Sequence, residues 1–459
     1  MKLLLLLLTL VYYSANAVPI EEYDFNGTNW VVLASGGGMS LEYSIEADVY
    51  HAYQVVRSRG IPDKNIIVMN LDEVAYSKRN PTPGIVVSKP GGPDVYHGVP
   101  KDYVHEEVTP LNFLAILRGD PVLARNGKKV VKSGPNDHIF VYFMDHGATD
   151  LICFPKGRLY GEELNNQLIE MYNQKKFAKL VFYIEACESG SMFAKLLPKD
   201  INVYAVTSSA PTESSYACCY DTLRQEFLAG YFNYHWMLNS EQNDLTKVTL
   251  EQQFVYIRDH TVNKDPAINA TNGQHAQQYG DLSIGKLPVS LFLGKENPKN
   301  ITEKRFNINP KTEDLINTRD ADIYLLQKRI EENDDLSEKQ KYVEKLRQLL
   351  NNRKLVDKHF EQYVHSIQHL LGIQSFNDIN NVLNTRQELN NRQCYRQMVD
   401  TFDDKCLNIN KNYYVLQKLN VFVNICEKLN ETNDMNTAVN ALIMYCNNNY
   451  MSSLVENVV

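Results

Sequence analysis

Residues 138–147 read HIFVYFMDHG and residues 179–193 read KLVFYIEACESGSMF. Each opens with a nearly unbroken apolar, aromatic and β-branched run of strand length, and each run stops abruptly at polar residues. Runs without polar alternation suit strands covered on both faces, as in a parallel sheet. Trp30–Ala34, Asn65–Leu71 and Ile201–Val206 repeat the pattern, and Ala47–Gly60 and Leu164–Lys176 read as crossover helices between such strands. Strand–helix alternation predicts a doubly wound α/β sheet, whose sites open at the carboxyl ends of the strands. Asn80–Pro100, rich in Pro and Gly, reads as a long surface loop.

The chain continues in a different grammar. All 17 prolines fall at or before Pro310, and of 22 glycines only Gly372 lies beyond it. Helical spacing of Tyr342, Val343, Leu346, Leu349 and Leu350, and of Val356, Phe360, Val364, Ile367 and Leu371, predicts packed helices, with solvated breaks at Glu332–Asp335 and Asn351–Arg353. The expected division is 1–17 signal peptide, 18–295 α/β domain, 296–325 linker and 326–459 helical bundle.

The other global features bound the compartment and the partners. Residues 1–17, MKLLLLLLTLVYYSANA, combine Lys2, a short apolar stretch and the small-x-small site Ala15-Asn16-Ala17, the pattern of a secretory signal. No later run approaches a spanning helix, so no membrane span is expected. With 47 Lys+Arg against 55 Asp+Glu, a formal charge of −8, nothing favours nucleic acid as a partner. Sequons stand at Asn26, Asn269, Asn300 and Asn430. Of eight cysteines in an oxidising compartment, the late four (Cys394, Cys406, Cys426, Cys446) predict two disulfides with three pairings open, and the early group is expected to keep a free thiol. The remaining histidines show no metal-ligand spacing, so neither a metal nor a cofactor is expected. Gly36-Gly37-Gly38 lacks phosphate-loop spacing and reads as a border of the cleft, and Arg118-Gly119-Asp120 reads as a helix end.

Chemistry gathers where the two quoted strands stop. One runs into Asp145-His146-Gly147 and the other into Glu185-Ala186-Cys187. A thiol near its reference pKa of about 8.5 is mostly protonated at neutral pH. A neighbouring imidazole activates it and later protonates a leaving amine. The backbone amides of Gly147 and Cys187 would serve a tetrahedral oxyanion.

These blocks, with INVYAVTSSAPTESSYACCYD (201–221), ADVYHAYQVVRSRGIPDKNIIVM (47–69), NPTPGIVV (80–87), DVYHGVPKDY (94–103) and VTPLNFLAILRGD (108–120), resemble the legumains, the asparaginyl endopeptidases. The resemblance implies a caspase-like, mostly parallel sheet between helices, followed by an all-helical, disulfide-stapled C-terminal prodomain. It implies a thiol protease made as a lysosomal or secreted zymogen, with Cys187 as nucleophile, His146 as acid/base, and Gly147 and Cys187 amides as oxyanion hole. It pairs Cys394 with Cys426 and Cys406 with Cys446, and suggests Asn317 as a processing point. Its implied partners are peptide and protein substrates, the chain's own prodomain as inhibitor, and cystatin-type inhibitors. Acid release of the prodomain is expected through protonation of interface carboxylates.

The chain departs from the family where the residue before the scissile bond would bind. The family's His-supporting Asn falls at Glu42, its pocket Arg at Ser44, a neighbouring His at Ile45 and its pocket Asp at Gly230, while Glu185, Ser214 and Ser215 match. Glu42 either holds His146 or pairs elsewhere. A pocket without the Arg and the Asp is wider and less charged, so a strict Asn preference is not expected. The competing readings are a weak or inactive peptide-binding relative, separated by thiol-dependent hydrolysis, and the GPI-transamidase subunit, which requires a C-terminal membrane helix.

Overall fold

The computed structural model describes residues 25–37, 43–262, 274–297, 315–429 and 432–449. The expected signal peptide, Glu42 and the sequons at Asn269, Asn300 and Asn430 lie outside the described residues.

The principal sheet has six strands in the order Gln277–Gly280, Val203–Thr207, Lys179–Glu185, His138–Met144, Asn29–Ser35 and Ile66–Met69. All neighbours run parallel except Gln277–Gly280, which is antiparallel to Val203–Thr207. The unbroken apolar runs have a direct cause, because successive side chains enter two different cores. Val31, Leu33, Phe140, Tyr142, Val181 and Tyr183 pack beneath the helices Tyr43–Ser58, Tyr231–Gln242 and Leu250–Thr261. Val32, Ala34, Ile139, Val141, Leu180 and Phe182 face the helices Pro110–Arg118 and Gly161–Asn173. This is the mostly parallel sheet between helices that the sequence predicts.

Boundaries shift where the backbone turns left-handed. The last central strand starts at Val203 and not Ile201, because Asn202 has φ 55°. The first crossover helix begins at Tyr43 and ends at Ser58, just before Gly60 at φ 91°. Residues 80–100 form no regular element but fold back onto the sheet through buried Val86, Val87, Val95 and Val99. Arg118 ends its helix, Gly119 is the left-handed cap, and Asp120 caps the next short helix, so the RGD triplet serves as a turn.

The C-terminal region is helical: Ala321–Glu332, Leu336–Ser366, Phe376–Asn384, Arg392–Lys405, Tyr413–Lys418, Asn420–Lys428 and Thr432–Asn449. Disulfides Cys394–Cys426 and Cys406–Cys446 staple it. The expected interruption at Asn351–Arg353 does not occur, and one helix runs from Leu336 to Ser366. Those residues carry no Gly or Pro to break it, and Arg353 is buried on a tertiary ion pair with Asp320 at 2.7 Å instead of being solvated. The helix Ala321–Glu332 also runs across the division drawn at 325/326. The bundle core is continuous with Ala148, Leu151, Cys153 and Tyr160, which belong to a small sheet directly after His146. The bundle therefore lies over the mouth of the principal sheet.

Candidate active site

The two chemistry-bearing strands are aligned residue for residue. His138 pairs with Lys179, and the ladder ends with Met144 opposite Glu185. His146 and Cys187 each stand two residues beyond that last pair, so parallel register brings both to one edge of the sheet. The amide of Asp145 still donates to the Glu185 carbonyl (3.2 Å). Beyond it the His146 amide donates to the Asp145 carboxylate at 2.6 Å, which turns the chain. Gly147 lies against the Cys187 loop, since a Cβ there would sit 2.6 Å from the Cys187 carbonyl oxygen. On the other strand, Glu188 at φ 52° reverses the backbone after Cys187. The Cys187 sulfur accepts from the Ser215 amide at 3.3 Å and lies 3.4 Å from the Ser215 hydroxyl.

A cavity of about 50 Å³ opens beside this pair, lined by His146, Ser44, Ile45, Glu185, Ser215 and Gly230 among others. Four residues singled out in the sequence for a substrate pocket (Ser44, Glu185, Ser215 and Gly230) thus meet on one wall. Ser214 does not join them; its hydroxyl accepts from Arg319 at 3.4 Å. Sequence reasoning missed Asp48 and Asn233, which are not on the cavity lining but hold Gly230 and Glu185, which are. The Asp48 carboxylate accepts from the Gly230 amide (2.7 Å) and the Asn233 side chain (2.9 Å), and Glu185 accepts from the Asn233 amide (2.9 Å). Asp48 lies four residues after Ser44 on the same helix, a spacing that puts both on one face and would have revealed it. Burial, and for Glu185 the neighbouring Asp48 charge, push both carboxyls well above the usual carboxylate range.

Residues 29–295 match the Peptidase C13 family, and residues 344–443 match the legumain prodomain. The chain belongs to the peptidase C13 family. It is 40% identical to the legumain of Homo sapiens over 417 residues, covering 90% of this chain and 92% of the relative. It is 35% identical to the vacuolar-processing enzyme delta-isozyme of Arabidopsis thaliana, covering 94% and 93%. It is 34% identical to the hemoglobinase of Schistosoma japonicum, covering 92% and 94%. The structure also aligns with caspase-1 from Spodoptera frugiperda at a TM-score of 0.34 and 9% identity, over 56% of this chain and 89% of that one. The chain is a cysteine-type endopeptidase carrying its prodomain.

The prodomain and the segment leading into it cover the site. Ile316–Asn317 adds antiparallel to the strand Tyr216–Asp221, with Ile316 opposite Ala217 and Asn317 opposite Tyr216. Thr318 continues the ladder, its amide donating to the Ser215 carbonyl at 3.1 Å. Arg319 then buries its guanidinium against Glu188 (2.5 and 3.0 Å) and the Gly147 carbonyl (2.8 Å); burial alone would loosen its proton, but the Glu188 carboxylate outweighs that and holds it more firmly. Tyr413 stacks on the His146 ring with centroids 3.9 Å apart. Cys187 is 1% and His146 8% exposed, so no substrate reaches them in this state. Further pairs ring the contact: Arg392–Asp150 (3.1 Å), Arg396–Glu163 (2.7 Å), Arg158–Asp403 (2.6 Å) and Arg329–Glu226 (2.8 Å).

At two interface carboxylates, Asp150 and Glu226, burial works against the expected acid trigger. Burial outweighs the attraction of the arginines, pushing Asp150 up to about 6 and Glu226 up to about 7. A carboxyl that binds its proton more tightly in the closed state stabilises closure below its exposed pKa and loses that contribution as pH rises through the closed value. Both groups therefore oppose acid opening. Their ion pairs suggested the reverse because distance alone omits desolvation.

Cys153, Cys187, Cys218 and Cys219 carry no disulfide, and among the described residues no cluster of His, Cys, Asp or Glu could hold a metal ion. Among the described residues no helix is long and apolar enough to cross a membrane.

Proposed function

We propose that this endopeptidase cleaves peptide bonds through a Cys187–His146 dyad once the prodomain has left. His146 takes the thiol proton, the sulfur attacks the scissile carbonyl, and the Gly147 and Cys187 amides face the oxyanion. His146 then returns the proton to the leaving amine, and water hydrolyses the thioester. The observation that supports this most strongly is the in-register end of the two strands, which carries both residues to one edge of the sheet, where His146 lines the cavity. An extended substrate would pair with the Tyr216–Asp221 edge now taken by Ile316–Asn317, a strand-addition mode. The implied processing point, Asn317, lies inside that ladder, so cleavage there requires the strand to leave first.

We also infer passage through the secretory route to an acidic or extracellular compartment, in keeping with the N-terminal segment and an exposed sequon at Asn26. The test is hydrolysis of fluorogenic peptides by the acid-treated full chain. Cys187→Ser is expected to lower kcat by at least about a thousandfold and His146→Ala by about 10²–10⁴-fold. Undiminished hydrolysis by Cys187→Ser would place the nucleophile elsewhere.

A further inference from the structure

We propose that the pocket beside Cys187 and His146 takes a basic side chain, lysine or arginine, on the acyl side of the cleaved bond, with Glu185 as the specificity-determining residue. The proposal rests on the peptidase reading above and names its substrate class.

Glu185 lines the pocket with no Lys or Arg of the peptidase domain beside it, and a second acid, Asp48, sits outside the lining on the Gly230 amide. Glu185 is 2% exposed and lines the cavity, yet its Oε1 has no hydrogen-bond partner, and the Oδ1 of the adjoining Asp48 also has none. The cations on the cavity wall come from outside the peptidase domain, Arg319 from the linker and Arg353 from the prodomain, and both are engaged: Arg319 by Glu188 and the Gly147 carbonyl, Arg353 by Asp320 and the Arg319 carbonyl. When the prodomain leaves, they leave with it. The amide end of the Tyr231–Gln242 helix offsets part of the negative charge through the Asn233 and Gly230 amides, and the Gln274 side chain moderates Glu185 further. None of these groups supplies a positive charge.

Gly230 decides that the Glu185 carboxyl is reachable. A Cβ at that position would lie 2.6 Å from the carboxyl carbon, so the acid rests against bare backbone where any side chain would displace it. The walls above it, Ser44, Ile45 and Ala217, carry no charge and suit the aliphatic stem of a long basic residue. The candidate ligands separate on this geometry. An ammonium or guanidinium donates to the unpartnered Glu185 oxygen and supplies the countercharge that lets this buried carboxyl ionise. A carboxamide can donate to Glu185, but its oxygen finds only the Ser44 hydroxyl. A carboxylate meets the Glu185 carboxyl with no cation of the peptidase domain to offset its charge and is disfavoured.

The experiment uses the acid-treated full chain and peptides that differ only in the residue before the scissile bond: Lys, Arg, Asn, Asp or norleucine. The expected kcat/KM for Lys and Arg exceeds that for Asn and norleucine by about tenfold or more, with Asp lowest. Glu185→Gln should bring Lys to within about threefold of norleucine, and Ser44→Arg should lower Lys relative to norleucine and raise Asn. Should Glu185→Gln fail to fold, Ser44→Arg alone decides. Higher activity after Asn than after Lys, or a Lys preference unchanged in the variants, overturns the proposal. Asn-directed hydrolysis abolished by Cys187→Ser would overturn this pocket assignment while supporting the dyad. Absence of thiol-dependent hydrolysis after every residue would remove both.

Discussion

Replacing Asp150 by Asn in a Cys187→Ser chain, which on the proposed dyad does not cut itself, isolates one proton-linked term in zymogen closure. Asp150 is buried beneath the bundle, with Arg392 Nε 3.1 Å from its carboxylate, and burial raises its pKa to about 6. An exposed Asp titrates near 3.9, so closure raises the value by roughly two units, at 1.36 kcal/mol per unit. Ionised Asp150 therefore costs the closed state about 3 kcal/mol at pH 7 relative to the protonated form, and the cost vanishes below about pH 4. Asparagine mimics the protonated form, keeps an oxygen for Arg392, and leaves Arg392 its second bond to the Ala194 carbonyl (3.3 Å). The expected result is equal stability of variant and parent near pH 4 and a variant more stable by up to about 3 kcal/mol near pH 7. The assay is the midpoint of the first thermal or denaturant transition at both pH values. A variant weaker than its parent at pH 7 and equal at pH 4 would show that the ion pair outweighs desolvation, and would refute this account of the interface.

Two further perturbations probe the same contact. Arg319→Ala removes the cation shared by Glu188 and the Gly147 carbonyl, and breaking a buried pair of this kind costs about 3–5 kcal/mol; the unprocessed chain should then hydrolyse small peptides at least about tenfold faster before any acid treatment, read by fluorogenic substrate. His359 is buried in the bundle with Nδ1 2.8 Å from the Tyr445 hydroxyl and an unpartnered Nε2, and burial lowers its pKa. Its stabilising contribution is complete above the exposed value near 6.5 and is lost as pH falls through that region; His359→Gln should shrink the difference in unfolding midpoint between pH 7 and pH 5.

The sequence by itself determined the layered sheet, because doubly buried strands must be apolar at successive positions, and HIFVYF and KLVFYI are. It also determined the helical tail, because a region with almost no Gly or Pro and 3.6-residue spacing has few other options. His146 and Cys187 were legible because they terminate two such strands. Only the tertiary structure decided what surrounds them. Asp48 supports Gly230 from a helix far away in sequence, Arg319 arrives from the linker and Tyr413 from the bundle, and Gly230 acquires meaning only from the Glu185 carboxyl resting against it. The sense of the pH response was likewise hidden. Charge complementarity can be read from letters, but desolvation depends on which carboxyls are buried under a neighbouring domain, and at Asp150 and Glu226 desolvation is the larger effect.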